Sequence, residues 1–254
     1  MPGHLIVSDE DATRVIKLRR PEKKNAFTQD MYRGVSDAID TAQNNPNIRC
    51  IIITGGSGVF TAGNDLEDFL KESTSATDTP RGASNAVKLL YSLAHNVKPI
   101  IAAVDGVAIG IGTTMLFHCD YVLASTTATF STPFINLGLV PEGASSLLMP
   151  RTMGYQRAFS MLVMGRKFSA DEAREAGFVN VVVAPGHTEA EARKVAREIC
   201  ALPAEAVAIT RKLLRPPPED MTRRIDQEGH LFGERLRSRE AVTAFKAFFD
   251  RKKG

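Results

Sequence analysis

Glu142 is the carboxylate whose surroundings in the sequence are most suggestive of chemistry. It occurs in the segment Asn-Leu-Gly-Leu-Val-Pro-Glu-Gly, residues 136–143. A carboxylate in such a place can act as a general base. It can equally stabilise a helix, because Pro141 suits the first helical position and an acidic side chain there offsets the helix macrodipole. Taken alone, the segment favours the structural role, with Glu142 in the first turn of a helix.

Two glycine-bearing turns can supply backbone N–H groups to an anion or a developing oxyanion. The first is residues 60–66, which follow the turn Gly-Gly-Ser-Gly at 55–58, and the second is residues 105–112, after an apolar run that ends at Val104. Each can end a strand and begin a helix with its N–H groups exposed. The third glycine of a dinucleotide loop, the P-loop pattern and Gly-x-Ser-x-Gly are all absent from the sequence. Plain strand-to-helix connections remain an alternative for both turns.

The histidine and cysteine residues do not form a recognisable catalytic or metal-binding pattern. His118 stands beside Cys119 and Asp120 without a serine-nucleophile motif, so we expect a core histidine. The chain has three cysteines, Cys50, Cys119 and Cys200. Their odd number argues against a disulfide framework, and their spacing is not that of a zinc site. A reducing compartment fits best, and we expect a cytoplasmic protein.

The composition is that of an ordinary globular protein and does not indicate a membrane or nucleic-acid partner. Its 254 residues are 43% hydrophobic and 24% charged, and the formal net charge is +3. No dense basic run appears, so nucleic acid is not an expected partner. Residues 1–9 lack the features of a secretory signal, and apolar runs such as 100–104 are too short to cross a bilayer. We therefore expect no membrane partner.

The elements that must hold these residues follow an α/β pattern. Short apolar runs at 4–7 and 13–18 flank Asp-Glu-Asp and predict a hairpin, and a helix is predicted from about Thr28. The run 48–54 contains Ile-Ile-Ile without alternation, which indicates a strand covered on both faces, as in a parallel sheet. Residues 100–104 and 121–124 repeat this pattern, with helical stretches between the strands.

The second half of the chain is predicted to be mainly helical. Ser169–Glu172 and Thr188–Glu191 have the spacing of capping boxes, and Pro216-Pro217-Pro218 should separate two helices. Residues 73–82 are typical of an exposed loop. We divide the chain into a core at 1–200 and a helical C-terminal region at 201–254. Three phenylalanines near the end need something to pack on, such as a neighbouring subunit: Phe245, Phe248 and Phe249.

Four motifs in order resemble those of the crotonase superfamily, also called the enoyl-CoA hydratase/isomerase family. The similarity runs from about residue 5 to 185 and continues more weakly through the C-terminal helices. The stretches that carry it are Arg-Pro-Glu-Lys-Lys-Asn-Ala-Phe at 20–27, Phe-Thr-Ala-Gly-Asn-Asp-Leu at 60–66, Ala-Val-Asp-Gly-Val-Ala-Ile-Gly at 103–110, and Gly-Arg-Lys-Phe-Ser-Ala-Asp-Glu-Ala-Arg-Glu-Ala-Gly-Phe at 165–178.

This resemblance implies a fold, a substrate class and an assembly. The fold would be α/β, a crotonase-like spiral of ββα units with a helical C-terminal trimerisation region, and the protein would be a homotrimer or a dimer of trimers. The substrate would be an acyl-CoA thioester, with coenzyme A as part of the substrate and no separate cofactor or metal. By position, the N–H groups of Asn64 and Ile111 would form the oxyanion hole, and Asn25, Ala26 and Ala62 would lie at the CoA site.

The sequence departs from the pattern of the family's hydratases, which use two glutamates to position and activate water. At the matching positions this chain has Thr114 and Phe134. The segment around Glu142 instead looks like that of the Δ3,Δ2-enoyl-CoA isomerases, in which the matching glutamate is the single catalytic base. This resemblance reverses the structural interpretation of Glu142. It implies an isomerase of fatty acid degradation that moves a 3-enoyl-CoA double bond to the 2-position.

Three other functions remain open at this stage. Aromatic-CoA members of the superfamily, such as epoxide isomerases and dehalogenases, place an aspartate where Glu142 stands. A hydratase-type activity is a second alternative. A non-catalytic acyl-CoA-binding module with the same fold is a third alternative. Such a module would not need a carboxylate at position 142.

Overall fold

The computed structural model describes residues 3–56, 58–65 and 84–253. The loop predicted at 73–82 lies outside these residues. The ten strands, β1 to β10 in chain order, are Leu5–Glu10, Thr13–Leu18, Cys50–Thr54, Val59–Thr61, Ile100–Val104, Val107–Ile109, Tyr121–Ser125, Thr129–Ser131, Phe168–Ser169 and Val181–Val183.

Ten α-helices of the described chain are named here α1 to α10. They are Gln29–Asn44, Asn85–His95, Ile111–Thr114, Ser145–Met153, Tyr155–Leu162, Ala170–Glu175, Thr188–Ala201, Ala204–Leu214, Pro218–Leu236 and Arg239–Lys253. Short 3₁₀ turns at Pro21–Lys23, Met115–His118 and Ile135–Leu137 join some of them.

The larger sheet has six strands in the order β1-β2-β3-β5-β7-β10. The predicted hairpin is present, because β1 and β2 pair antiparallel, and the other neighbours pair parallel. In β3, Ile51 and Ile53 pack in the main core that includes α1 and α2, whereas Ile52 packs with Ala192 and Ala196 of α7. Helices therefore cover both faces of the sheet, which explains why β3 does not alternate.

A smaller sheet repeats the connectivity of the larger one. Its order is β4-β6-β8-β9, and β4, β6 and β8 follow β3, β5 and β7 along the chain. Each of these three strands of the larger sheet thus continues into a short strand of the smaller sheet. A helix follows each short strand along the chain: α2 after β4, α3 after β6 and α4 after β8. This is the predicted spiral of ββα units. The glycine turn at 105–112 contains one of the short strands, which the sequence pattern did not indicate.

Local signals for helix starts were right at Thr28 and Ser169 and wrong at Thr188. Thr28 caps α1 by accepting from the N–H of Met31, and the capping box of Ser169 and Glu172 is formed. Thr188 is already the first residue of α7, after His187, and no side-chain cap forms there. The predicted capping box at 188–191 is therefore wrong, because the helix begins one residue too early for it.

The C-terminal helices fold back over the chain's own core. Phe245 of α10 is 4% exposed and packs with Phe134, Leu139 and Phe232. The prediction that Phe245 needs a packing partner is thus met within the same chain, and no neighbouring subunit is required to cover it.

Candidate active site

Two segments that follow neighbouring strands of the smaller sheet meet at one place. Asn64 comes after β4, and Ile111 comes after β6, which runs parallel to β4. The contact requires glycine, because a Cβ added to Gly63 would lie 2.6 Å from the carbonyl oxygen of Ile109. This close approach brings together the two peptide N–H groups that follow Gly63 and Gly110.

Both N–H groups remain available for a ligand. Across residues 3–56, 58–65 and 84–253, neither the Asn64 nor the Ile111 N–H donates to an acceptor of the chain. Gly110 precedes Ile111 with a φ of 58° and a ψ of −121°, a conformation that side chains disfavour. The pair is suited to hold a developing oxyanion, the role predicted for these residues. The side-chain amide oxygen of Asn64 is occupied, since it accepts from the hydroxyl of Tyr32.

The residues predicted to line the CoA site come from two segments that adjoin each other. The Ala62 N–H donates to the carbonyl of Lys24 at 2.9 Å, and the Thr61 hydroxyl donates to the carbonyl of Asn25 at 2.6 Å. Ala26 is buried beside them. The Asn25 side chain is only 2% exposed, and its amide donates to the carbonyls of Gly55, Val59 and Phe60. Its carboxamide therefore holds the turn that leads into β4 and does not face a ligand.

Glu142 lies in the loop before α4, three residues short of the first helical residue, Ser145. The prediction that it sits in the first turn of a helix is therefore wrong. Its carboxylate is instead tied to α3, because the Thr114 hydroxyl donates to Oε1 of Glu142 at 2.5 Å. Since Ile111 and Thr114 are the first and last residues of this one-turn helix, α3 links the candidate base to the candidate oxyanion hole.

Burial brings the pKa of Glu142 close to neutral pH. The side chain is half-buried, and desolvation of the carboxylate raises its pKa to about 7. The hydrogen bond from Thr114 opposes this shift, and the nearby negative charge of Glu228 adds to it. A carboxyl group with a pKa near the working pH can both take up and return a proton.

The two positions where a hydratase of the family would carry glutamates also lie here. Thr114 is fully buried and binds Glu142, a hydrogen bond that the sequence comparison did not suggest. Phe134 is 6% exposed, and a Cβ added to Gly110 would lie 3.9 Å from its ring carbon Cε1. Its ring meets Phe232 of α9 edge to face, with centroids 6.3 Å apart. Neither side chain can activate water as a carboxylate would.

His118 lies under the Glu142 loop as a core residue, as predicted. It is fully buried, and its Nε2 lies 2.7 Å from the carbonyl oxygen of Gly143. Desolvation lowers the pKa of His118 to about 4, so the ring is neutral near pH 7. No local pattern in the sequence indicates that this histidine supports the loop of the candidate base.

Glu228, on α9, was not identified from the sequence. It is 5% exposed, and its Oε2 accepts from the N–H of Ala144 at 2.6 Å. Its Oε1 accepts from the N–H of Ser146 at 2.9 Å and from the Ser146 hydroxyl at 2.5 Å. A glutamate in a polar helix far along the chain carries no local signal of such a contact.

Among the described residues, no group of three or more His, Cys, Asp or Glu side chains is arranged to hold a metal ion. No helix in that part of the chain is long and apolar enough to cross a membrane.

Known proteins share this sequence and fold. The family described as enoyl-CoA hydratase/isomerase matches residues 9–254. Enoyl-CoA delta isomerase 2 of Homo sapiens is 33% identical over 98% of this chain, which spans 64% of the length of that protein. The 1,2-epoxyphenylacetyl-CoA isomerase of Escherichia coli is 30% identical over 94% of this chain and 93% of its own length.

A solved structure agrees closely with the fold. OdaA of Pseudomonas aeruginosa superposes with a TM-score of 0.91 and 39% sequence identity, over 96% of this chain and 98% of its own.

Proposed function

The chain belongs to the enoyl-CoA hydratase/isomerase family, and from this premise we propose that it is a Δ3,Δ2-enoyl-CoA isomerase with Glu142 as its single base. The observation that carries the proposal is the setting of Glu142. It is a half-buried carboxyl with a pKa of about 7, fixed by Thr114 to the helix whose first N–H belongs to Ile111. The delta isomerase relative supports the same reaction.

The proposed reaction needs one base and two N–H donors. Ionised Glu142 removes a proton from C2 of a 3-enoyl thioester, and the electron pair moves to the carbonyl oxygen as a dienolate. The N–H groups of Asn64 and Ile111 hold that oxygen. Protonated Glu142 then returns the proton at C4, which leaves the double bond between C2 and C3. This chemistry requires no metal or redox cofactor, because the same proton leaves and returns while the electron pair moves within the substrate. Coenzyme A is part of that substrate.

The magnitudes are those expected of such groups. A positioned general base contributes about 10²–10⁴ in rate. Each oxyanion donor contributes about 10²–10³. We propose that Asn25, Ala26 and Ala62 line the CoA portion through the backbone, since the Asn25 carboxamide is occupied by Gly55, Val59 and Phe60.

Hydration is a less suitable reaction for this site. Addition of water needs a second group to hold and activate it, and positions 114 and 134 offer a hydroxyl already bound to Glu142 and a phenyl ring. We expect hydration of crotonyl-CoA to be at least about a hundredfold slower than isomerisation of a 3-enoyl-CoA, or about 2.7 kcal/mol between the two barriers.

Isomerisation of an aromatic CoA epoxide is a second candidate. It is favoured by the Escherichia coli relative, which this chain matches along nearly the full length of both proteins. A base at the same place and the same oxyanion donors would serve there too. The longer glutamate at 142, where such members place an aspartate, favours the enoyl substrate.

One set of assays separates these reactions. The protein is incubated in parallel with a 3-enoyl-CoA, crotonyl-CoA and 1,2-epoxyphenylacetyl-CoA, and products are identified by mass and by the ultraviolet absorbance of the conjugated thioester. We expect conversion of the 3-enoyl-CoA to a 2-enoyl-CoA as the fastest reaction. Faster turnover of either other substrate would replace the proposal. Binding of all three without turnover would indicate an acyl-CoA-binding module.

We also propose a homotrimer or a dimer of trimers. Apolar side chains remain exposed on α5 and α8 within the single chain, among them Tyr155 at 67% and Leu213 and Leu214 at 81% each. Burial of such side chains between subunits stabilises an assembly. Light scattering at micromolar concentration should give a mass of three or six chains, and a monomeric mass would contradict the proposal.

A further inference from the structure

The helix that follows Glu142 begins in an unfavourable conformation with no cap of its own. Ala144, at the N-cap position of α4, has a φ of 57° and a ψ of 17°, in the left-handed region that residues other than glycine seldom adopt. Its side chain cannot cap the helix, although the first N–H groups of any helix lack partners inside it. Groups from another part of the chain must therefore hold Ala144 and the start of α4 in this conformation.

That support comes from α9, more than eighty positions along the chain. The Glu228 carboxylate accepts from the N–H of Ala144 and from both the N–H and the hydroxyl of Ser146, with distances between 2.5 and 2.9 Å. The two oxygens together receive three donors, an arrangement suited to the ionised form. Arg224, one turn earlier on α9, also donates to the Ser146 hydroxyl, at 3.0 Å.

We infer that Glu228 is a positioning residue for Glu142: it fixes the end of the loop that carries the base and places a negative charge beside it. The inference rests on the proposed role of Glu142 as the base. It also makes the C-terminal helix α9 part of the active site, beyond the packing of Phe232 on Phe134. Glu142 is thus held from two sides, by Thr114 on α3 and by Glu228 through α4.

The charge beside Glu142 has a defined direction of effect. The charged and titratable groups that contact the loop or the start of α4 from other described elements include Glu228 and Arg224 on α9 and His118 beneath Gly143. The Tyr91–Asp226 pair joins α2 to α9 nearby in the sequence of α9. His118 is neutral near pH 7, since its pKa is lowered to about 4. The Glu228 charge raises the pKa of Glu142. Burial raises the pKa of Glu228 itself, while the hydrogen bonds from Ser146 and Ala144 and the charge of Arg224 oppose that rise. Removal of the Glu228 charge should therefore lower the pKa of Glu142.

The test is Glu228→Gln in the full chain. Gln keeps the size of the side chain but loses the charge, and it presents an NH2 group to one of the donors that the carboxylate now satisfies. We expect kcat for 3-enoyl-CoA to fall about tenfold, because the loop that orients the base is loosened, with KM within about twofold. The acid limb of the kcat/KM profile should move to lower pH by about half a unit or more.

A second readout needs no turnover. The Glu142 carboxyl is titrated by NMR in protein labelled with ¹³C-glutamate, with Glu142→Gln identifying its signal, and the midpoint should be lower in Glu228→Gln. The matched control is Glu172→Gln, which removes a glutamate that caps a different helix, α6, by accepting from the Ser169 N–H at 2.7 Å. The control should leave kcat and the Glu142 midpoint unchanged.

The outcomes separate this inference from the proposed function. A lower Glu142 midpoint together with the loss of kcat supports a positioning role. A wild-type midpoint in Glu228→Gln overturns it, whether kcat is kept or falls along with KM and melting temperature, since a merely structural residue would behave in that way. If the wild-type protein does not isomerise 3-enoyl-CoA, the proposed function fails and the titration alone decides the inference.

Discussion

The two halves of the candidate site are built in different ways. The oxyanion half consists of backbone N–H groups at residues 64 and 111, placed by parallel strands and by glycines at 63 and 110. The base half is one side chain in a loop, held by Thr114 and, through α4, by Glu228. The geometry of the oxyanion half depends on the path of the main chain. The properties of the base half depend on the side chains that surround Glu142.

This difference predicts how each half responds to substitution. Exchanging side chains at 64 or 111 leaves the N–H donors in place, whereas adding a Cβ at a glycine moves the main chain that carries them. In the base half, each hydrogen bond or charge around Glu142 shifts its pKa in a direction set by that group. The oxyanion half should thus be sensitive to shape and the base half to charge.

The largest effect is expected from Glu142→Gln in the base half. Gln can still accept from Thr114 but cannot take the C2 proton, so kcat should fall by about 10²–10⁴. The free energy of unfolding of this variant should rise, although its kcat falls. Burial raises the pKa of Glu142 from 4.5 to about 7, so its contribution to stability is full below pH 4.5 and is lost as the pH rises through about 7.

A neutral Gln avoids that loss. Unfolding of Glu142→Gln in urea at pH 7.5 should show a gain of about 1–3 kcal/mol over the wild type. A residue that only offset a helix dipole would give a loss of about 0.3–1 kcal/mol with normal turnover. Normal kcat in this variant would remove Glu142 from the mechanism.

Gly63→Ala should be the most damaging change in the oxyanion half. The new Cβ would lie 2.6 Å from the Ile109 carbonyl oxygen at a φ of 84°, so the Asn64 N–H must move. Loss of one oxyanion donor lowers kcat by about 10²–10³. Gly186→Ala is the control, since Gly186 has a φ of 80° with nothing within 4 Å of the added Cβ. Steady-state kinetics and melting curves of both variants separate loss of the donor from general backbone strain, and equal kcat in the two would contradict the oxyanion assignment.

The sequence predicted these halves unequally, for a physical reason. Local patterns indicated β3, α1 and the hairpin because burial periodicity and caps act over a few residues. The glycine turns indicated where backbone N–H groups could face a ligand, because main-chain geometry follows local glycines, and the family resemblance pointed to Asn64 and Ile111 within them. Glu142 was singled out from its own segment, but its role as the base came from the family resemblance, and the residues alone placed it wrongly in a helix.

The hydrogen-bonding partners around the base could not be predicted from the sequence. Glu228 lies on a different element, and its contact with the N–H of Ala144 depends on how α9 packs over α4. Thr114 was noted only as a departure from hydratases, although its hydroxyl binds Glu142. Contacts between distant elements leave no periodicity or spacing in one sequence.

Thr114→Val should have an intermediate effect on activity. It should shift the pKa of Glu142 upward, whereas Glu228→Gln should shift it downward. The Thr114 hydroxyl donates to Glu142 and lowers its pKa, so its removal should raise that pKa by about one unit. At pH 7 fewer molecules then carry an ionised base, and kcat/KM should fall about fivefold, with recovery at higher pH. Rate profiles measured between pH 6 and 9 test this, and an acid limb at the wild-type position would show that the hydrogen bond does not tune the base.

Ile111→Val should have the smallest effect. The N–H donor is retained, so kcat should stay within about threefold of the wild type. Loss of one buried methylene should lower the free energy of unfolding by about 0.5–1.5 kcal/mol. Chemical denaturation and kinetics of the same sample measure both, and a hundredfold loss of kcat would mean that the side chain, not the backbone, does the work at this position.

The most direct test of Glu142 as the base is the pH dependence of kcat/KM for isomerisation of a 3-enoyl-CoA by the wild-type protein. This profile reports the ionisation of the free enzyme. Since the pKa of Glu142 is about 7, kcat/KM should be level at higher pH and fall about tenfold per unit below about pH 7. The residual activity of Glu142→Gln should lack this acid limb. A level wild-type profile through pH 6, or the same acid limb in Glu142→Gln, would contradict the account.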